Sequence, residues 1–483
     1  MVRSRQNQIV ERFRDRITRG ELKPGERLPT TRALASELGV GRSTVVRAYE
    51  LLAREGWVEG EVGRGTSVRG VPSESYSAPN WDALLASSAA SPDQEYGDLL
   101  QLISRSDCVS LAGGLPATEL FPIALYQDIA AQVLRDNGSK ILQWCPVDGY
   151  LPLRSLLADS IGSSTENVLV TAGSTQGIHL VAQAMINPGD LVLVEAPTYP
   201  GALKAFAQAG ARVVGVPTSH MGIDIDALES LLRTFRPKFI YIVPTHQNPS
   251  GGTLPLDRRH RILSLAAEHR IPIVEDDAYR PIWFDTEPPP TLYQLDRHEL
   301  VLYISTFSKV LFPGLRVGWI AVPQPVAKRL GALRNLFDLF VNGPAQASLY
   351  AFQRKGLLDR HLRSVRPRYA ERCRHMITDL ERFCPELEYV PPRGGFFIWA
   401  QLPEGIDSRD LLRHAVSCGV SFLHGGLFHV GHGGEQSIRL TFAAQSEEAI
   451  HVGVRRLRLA IDRCRDTAPS SHRRAQDSMQ FAV

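Results

Sequence analysis

Lys309 closes the segment Ser305-Thr306-Phe307-Ser308-Lys309, directly behind an apolar run, and Arg316 follows in Pro313-Gly314-Leu315-Arg316-Val317-Gly318. An amine at the end of a buried strand, flanked by hydroxyls, suits Schiff-base formation with an aldehyde. A guanidinium a few residues on, beside Thr306 and Ser308, suits a phosphate dianion through charge-assisted hydrogen bonds. A second apolar run ends in Val274-Glu275-Asp276-Asp277-Ala278-Tyr279. A carboxylate placed there can pair with a protonated ring nitrogen and keep that ring an electron sink. The Tyr279 phenol and the Asn248 amide, the latter in the turn Pro244–Gly251, can both hydrogen-bond an oxygen on the same ring. Thr171-Ala172-Gly173-Ser174-Thr175-Gln176-Gly177 reads as a strand-to-helix turn whose free backbone N–H groups suit a phosphate. Tyr199, in Pro197-Thr198-Tyr199-Pro200, offers an aromatic face for stacking. A lone loop lysine is ordinarily solvated, and a Glu-Asp-Asp run is ordinarily an acidic cap. Their joint occurrence is what points to chemistry.

These residues need a scaffold that brings distant segments together. Short β-rich runs occur at 168–171, 191–195, 212–216, 239–243, 271–275, 301–305 and 317–322, with helical stretches between most of them. Several are apolar along their whole length, which predicts a mostly parallel seven-stranded sheet covered on both faces. The chemistry-bearing segments then fall at carboxyl ends of strands, where open α/β sheets place their ligands.

The first seventy residues read differently. Ile9, Val10, Phe13 and Ile17 recur at helical spacing; a second helix begins behind Pro29-Thr30, and Gly39-Val40-Gly41 makes a tight turn into a third. Two short β-rich segments then bracket Gly63-Arg64-Gly65 as a hairpin tip. Helix, three-residue turn, helix presents a recognition helix to the major groove of double-stranded DNA. Arg32, Arg42, Ser43, Thr44 and Arg47 are placed to meet bases and phosphates, and Arg64 and Gly65 to meet flanking backbone or minor groove. Charge agrees: residues 1–70 hold 14 basic and 9 acidic side chains, a net +5, so the remainder of this +3 chain carries −2. Residues 71–98, rich in Ser, Ala and Pro, read as a tether.

Composition excludes other classes. Of the 483 residues 43% are hydrophobic and 22% charged, an ordinary globular mixture. No run approaches the ~20 apolar residues of a membrane helix, and no secretory signal is visible, so a cytoplasmic protein is expected. The six cysteines form no C-x-x-C pair, arguing against a disulfide frame or zinc. His424, His429 and His432 share a Gly-rich loop without carboxylate or cysteine spacing, so no metal site is expected.

The N-terminal segment resembles the winged helix-turn-helix of GntR-type bacterial regulators, carried by Pro24–Pro29, Arg32–Ala35, Leu38–Val40, Arg42–Val45 and Gly63–Thr66. Residues from about 99 to 460 resemble the fold-type-I aminotransferases that use pyridoxal 5′-phosphate. The resemblance implies Lys309 as the Schiff-base and proton-shuttling lysine, Asp276 on the pyridine nitrogen, Asn248 and Tyr279 on the 3-oxygen, and Tyr199 stacking. It assigns Ser174, Thr175, Thr306, Ser308 and Arg316 to the phosphate, with Tyr150 lent to the partner subunit's phosphate. Arg439, in Ser437-Ile438-Arg439-Leu440-Thr441, would grip a substrate or effector α-carboxylate, with Gly114 in a loop closing over it.

Fused, the two parts resemble the MocR/GabR subfamily. The expected architecture is an α+β winged helix-turn-helix (1–70), a linker (71–98), an α/β aminotransferase-like body with a second small α/β domain (99–462) and a disordered tail (463–483). The expected partners are a double-stranded DNA operator, an amino acid or amine effector, and a second copy in a homodimer. The function implied is a pyridoxal-phosphate-dependent transcriptional regulator that senses the cofactor or an effector through an imine. The alternative is an active aminotransferase, with an accessory DNA-binding domain. GABA-responsive members carry a second arginine two residues after the stacking tyrosine; Gly201 stands there in this chain, which argues against a γ-amino acid effector.

Overall fold

The apolar stripe Ile9, Val10, Phe13 and Ile17 is buried along α1 (Arg5–Thr18), as its spacing requires. In the computed structural model, which describes residues 5–61, 65–71, 84 and 107–467, α1 packs against α3 (Arg42–Arg54) through an edge-on Phe13–Tyr49 contact with centroids 5.7 Å apart. Between them α2 (Thr31–Leu38) is capped at both ends. The Thr30 hydroxyl accepts from the Ala33 N–H, and Gly39 adopts the left-handed conformation, φ 61°, that stops the helix. Buried Val45, Ala48, Tyr49 and Leu52 set the opposite face of α3 outward. Strands β1 (Val58–Glu61) and β2 (Gly65–Val68) form the antiparallel hairpin, and buried Val58 and Val68 join the same core.

The chain divides into two units, 1–91 and 92–483. The second opens with β3 (Val109–Ser110) and is dominated by a sheet of eight strands. These are β4 (Val168–Thr171), β5 (Leu191–Ala196), β6 (Arg212–Ser219), β7 (Gly222–Ile223), β8 (Ile240–Ile242), β9 (Ile273–Asp276), β10 (Val301–Thr306) and β11 (Gly318–Ala321). Their spatial order is β4-β11-β10-β9-β8-β5-β6-β7. The seven β-rich runs of the sequence are all here. The eighth strand is the two-residue β7, which folds back antiparallel on β6 and is too short to leave a periodic signal. Pairing is parallel from β10 through β6, whereas β11 runs antiparallel to both β4 and β10. Every residue of β4, β8, β9 and β11 is buried, as strands covered on both faces must be.

A smaller sheet joins β12 (Glu388–Tyr389), β13 (Phe397–Gln401), β16 (Ser437–Thr441) and β15 (Leu423–His424) in that order. Alongside, β14 (Val420–Ser421) pairs in parallel with β3. The final helix, Glu447–Thr467, continues five residues past the expected boundary at 462. Cys464 on it is buried with the core that also takes Ile461, so residues 463–467 are helix rather than tail. The rest of the tail, nearly all of the linker and Arg64 lie outside the described residues.

Candidate functional site

One pocket at the carboxyl ends of the strands gathers most of the chemistry-bearing residues. Ser174, Thr175, Tyr199, Asn248, Asp276, Tyr279, Thr306, Ser308, Lys309 and Arg316 all line it, with Val243 and Ala278. Each arrives on an element whose sequence explains its position. Asp276 is the last residue of β9 and Thr306 the last of β10. Ser174 and Thr175 open the helix Ser174–Met185, so their backbone N–H groups lack intrahelical acceptors. Tyr199 caps the helix Pro200–Gln208.

The phosphate end is shaped by two glycines. Gly173 takes φ 89°, and a Cβ there would sit 2.6 Å from the Arg316 guanidinium. A Cβ on Gly318, at the start of antiparallel β11, would fall 2.5 Å from the Gly173 carbonyl carbon. Bare backbone therefore lets Arg316 and the helix N-terminus converge. Thr306 Oγ1 lies 3.0 Å from Ser308 Oγ and accepts from the Ser308 N–H, which fixes both hydroxyls.

At the other end, Asp276 is buried and its Oδ2 accepts a 2.7 Å hydrogen bond from the Tyr241 hydroxyl. Its Oδ1 is buried and has no hydrogen-bond partner among the described residues. Burial pushes the Asp276 carboxyl up to about 6. Glu195, behind it, is held up at about 8 by burial and is the neutral acid of the pair at pH 7. The Lys309 amine is brought down to about 8, first by burial and then by the Arg439 charge. Its Nζ donates to the Gly114 carbonyl at 2.8 Å and lies 5.8 Å from the Tyr279 ring centroid. Burial raises the Tyr279 hydroxyl far above its ordinary value, so it is a neutral donor.

Arg439, on β16, is buried between the rings of Phe397 and Phe428, 4.1 and 5.1 Å from its guanidinium carbon. It donates to Asn248 Oδ1 at 2.8 Å and to the Ala112 carbonyl at 2.6 Å. Asn248 is thereby joined to the guanidinium. Tyr150 is not among the residues lining the pocket: it caps the helix Leu151–Ile161 and its ring packs edge-on against Tyr350. At Gly201 a Cβ would lie 2.5 Å from the Tyr199 ring. No side chain, arginine included, fits at 201 while Tyr199 holds this conformation.

These residues fit pyridoxal phosphate. The unpartnered Asp276 Oδ1 suits a ring N–H, the glycine-lined cradle suits the phosphate, and the depressed Lys309 amine suits an aldehyde. Sequence reasoning missed Tyr241, Glu195, Phe397 and Phe428. Tyr241 was the most accessible of these, a single phenol in an otherwise aliphatic strand that had to find a polar partner once buried.

Among the described residues, the one His/Cys/Asp/Glu group tight enough for a metal is Glu371, His375 and Glu447, away from the histidines of the Gly-rich loop. In it His375 Nε2 and Glu447 form a 3.0 Å surface pair.

In the N-terminal unit, Arg32, Arg42, Ser43 and Arg47 are exposed and Thr44 is half-buried at the outer end of α3. Arg42 Nε is 3.4 Å from the Thr31 hydroxyl, which links the starts of α2 and α3. Gly65 is exposed with φ 98°, a conformation that favours glycine.

Comparison with known proteins agrees with both halves. Residues 107–457 match the family described as aminotransferase class I and II, and residues 5–68 match the bacterial regulatory proteins of the gntR family. The 2-aminoadipate transaminase of Thermus thermophilus is 41% identical over 369 residues, covering 75% of this chain and 92% of that protein. The uncharacterized HTH-type transcriptional regulator YdfD of Bacillus subtilis is 31% identical over 465 residues, 94% of this chain and 95% of the relative. Among solved structures, the alpha-aminoadipate aminotransferase LysN from Thermus thermophilus, complexed with N-(5′-phosphopyridoxyl)-L-leucine, superposes with a TM-score of 0.76 at 37% identity, covering 80% of this chain and 99% of LysN. The chain belongs to the GntR-type regulators of MocR-like architecture, in which a gntR-family helix-turn-helix is fused to a class I and II aminotransferase domain.

Proposed function

We propose that the protein is a DNA-binding transcriptional regulator whose aminotransferase body binds pyridoxal phosphate and reads an α-amino acid or amine effector in the same pocket. The observation that carries this reading is the union in one chain of an exposed, basic recognition helix and a complete cofactor pocket. The relative matched over more than nine-tenths of the chain carries a regulator's name, whereas the transaminase matches three-quarters of it.

When bound, pyridoxal phosphate supplies an aldehyde that condenses with amines and a ring that accepts electrons. The chain's own residues do the rest. Ser174, Thr175, Thr306, Ser308 and Arg316 would hold the phosphate; Asp276, steadied by Tyr241, would hold the ring proton; Tyr279 and Asn248 would hold the ring oxygen. Lys309 supplies the nucleophilic nitrogen and, once free, a base near the pocket's reacting carbon. Arg439 orients a carboxylate. With the amine at about 8, about a tenth of it is neutral at pH 7. Cofactor capture, followed by stopped-flow absorbance, is expected to accelerate about tenfold per pH unit up to about 8 and then level off. A rate still climbing past pH 9 would refute the depressed amine.

A homodimer completes this picture. Leu142, Trp144, Leu151, Leu336, Phe337 and Leu339 are exposed, and a 4.7 Å Trp144–Phe340 ring contact ties the two segments into one apolar patch beside Tyr150. Such a patch suits a second copy, to which Tyr150 would extend. No helix among the described residues is long and apolar enough to cross a membrane, and a DNA reader of this kind works in the cytoplasm.

Aminotransferase turnover is the second reading, favoured by the presence of Lys309 and Asp276 in one pocket with Arg439 bonded to its Asn248. The deciding experiment titrates cofactor-loaded protein with α-amino acids, ω-amino acids and polyamines. It measures operator affinity beside keto-acid release, with the double variant Arg42→Ala/Arg47→Ala as DNA control. A regulator changes its operator affinity with one amine and does not turn over steadily. The double variant should reduce the salt slope of binding by about 2. Steady multiple turnover with operator affinity unmoved would establish the enzyme instead.

A further inference from the structure

Successive side chains along an extended strand point to opposite faces, and Asp276 and Asp277 divide accordingly. The Asp277 N–H still bonds to the Ile304 carbonyl, so the alternation continues one residue past β9. Asp276 lines the cofactor pocket, whereas Asp277 lines a second chamber of about 190 Å³ that shares Thr306 with it. Asp277 is fully buried. Its Oδ2 accepts a 2.9 Å hydrogen bond from the Tyr303 hydroxyl. Its Oδ1 has no hydrogen-bond partner among the described residues, and neither has Gln353 Oε1, which belongs to the same chamber. Two open acceptors in one buried place call for a donor. Arg280, the one basic side chain among the described residues of the lining, spends its guanidinium on the carbonyls of Pro288 and Pro289. Burial holds the Asp277 carboxyl above its ordinary range, against the pull of the Arg280 charge and the Tyr303 hydroxyl. Leu157, Ile161, Leu358 and Leu362 make aliphatic walls. Past Ser160, Ile161 and Gln294 the chamber continues into a wider cleft of about 580 Å³. Among its described lining residues are Asp159, Asp296 and Glu299, and none is basic. The route thus runs from an acidic mouth, past aliphatic walls, to a buried carboxylate with an open oxygen.

We propose that this rear chamber is a binding site for an alkyl diamine, with one ammonium on Asp277 and Gln353 and the other at the acidic cleft. The methylene chain then lies along Leu157, Ile161 and Leu358. Water satisfies open oxygens but gains nothing from aliphatic walls, whereas a methylene chain gains from covering them. The acids at the mouth raise the local concentration of cations and disfavour anions. Binding here is non-covalent and needs no aldehyde, so the site is distinct from the pocket that would read an effector through an imine, and it does not rest on that reading.

Calorimetric titration of the full-length protein with 1,4-diaminobutane tests this. One sample is loaded with pyridoxal phosphate and reduced with borohydride, which seals the front pocket with a cofactor that no longer exchanges with amines; unloaded protein is titrated beside it. One equivalent of diamine is expected to bind in both, with n-butylamine a few-fold weaker for want of the second charge and n-butanol weaker again. Asp277→Asn keeps an acceptor for the Tyr303 hydroxyl but removes the charge, and should weaken the diamine at least about thirtyfold. Ser160→Trp, at an exposed position of the helix Leu151–Ile161 where chamber and cleft meet, should close the route and abolish binding without lowering the melting temperature. Diamine binding that disappears on reduction places the amine in the front pocket and overturns the proposal. Binding unchanged by Asp277→Asn, or by Ser160→Trp where the first variant does not fold, also overturns it, as does a protein that takes up none of the amines. A protein that captures no pyridoxal phosphate refutes the cofactor reading alone, and the unloaded titration and the two variants then decide the rear chamber.

Discussion

Lys309→Ala is expected to abolish retention of pyridoxal phosphate through gel filtration and to eliminate the absorbance band of the lysine-bound cofactor. The remaining contacts, from the helix N-terminus at Ser174 and Thr175, Arg316 and Asp276, still favour the phosphate and the ring, so weak reversible binding should persist. The effect on folding runs the other way. In the ligand-free protein Lys309 is a buried amine whose charged form is disfavoured by its surroundings, as its depressed value shows. A group of that kind costs stability below its folded value of about 8, where it is buried as a cation. The ligand-free variant should therefore melt no lower than wild type at pH 7, and wild type should regain the difference as pH rises above about 8. This is stability given up for function. A covalent band that survives the substitution, or a variant that melts several degrees lower, would contradict the assignment.

The second large effect concerns effector class. Arg439→Met keeps an unbranched side chain between Phe397 and Phe428 while removing the guanidinium. Truncating one partner of a buried charge-assisted pair costs about 2–5 kcal/mol in binding, so α-amino acids are expected to lose about a hundredfold in affinity. Amines without a carboxylate should bind as before, and that contrast separates loss of a grip from general damage. Asn248 Oδ1 and the Ala112 carbonyl each lose a donor, so a stability loss of about 1–3 kcal/mol accompanies the change. Spectrophotometric titration of the two amine classes makes the comparison. Equal weakening of both would show that Arg439 shapes the pocket without selecting its carboxylate.

Much of this was legible in the sequence because the relevant signals are local. Strands buried on both faces leave uninterrupted apolar runs, and β4, β5, β9 and β10 were visible for that reason. Turns that end strands carry their functional residues within a few positions of the run, so Asp276, Thr306, Lys309 and Ser174 could be placed at one sheet end from the sequence alone. The missed features are those in which residues far apart in sequence meet. Tyr241 reaches Asp276 across 35 positions, and Phe428 flanks Arg439 only because the loop Gly425–Phe428 returns over the small sheet. The boundary at 462 failed for a related reason. The last helix turn is dominated by Arg463, Arg465 and Asp466, and the one buried residue among them, Cys464, is a weak hydrophobic marker by itself.

The neutral state of Glu195 has a kinetic consequence. With that carboxyl protonated, Lys309 and Arg316 in the pocket, and Arg439 bonded to its Asn248, face Asp276 as the one carboxylate lining it. Its mouth is therefore a focused positive field in a low-dielectric wall, able to draw anions from solution before contact. Phosphorylated pyridoxal should enter faster than the unphosphorylated aldehyde, and its advantage should shrink as added salt shortens the Debye length below ~10 Å. The ionic strength of the surroundings would then set how quickly the protein registers its ligand, independently of how tightly it finally holds it.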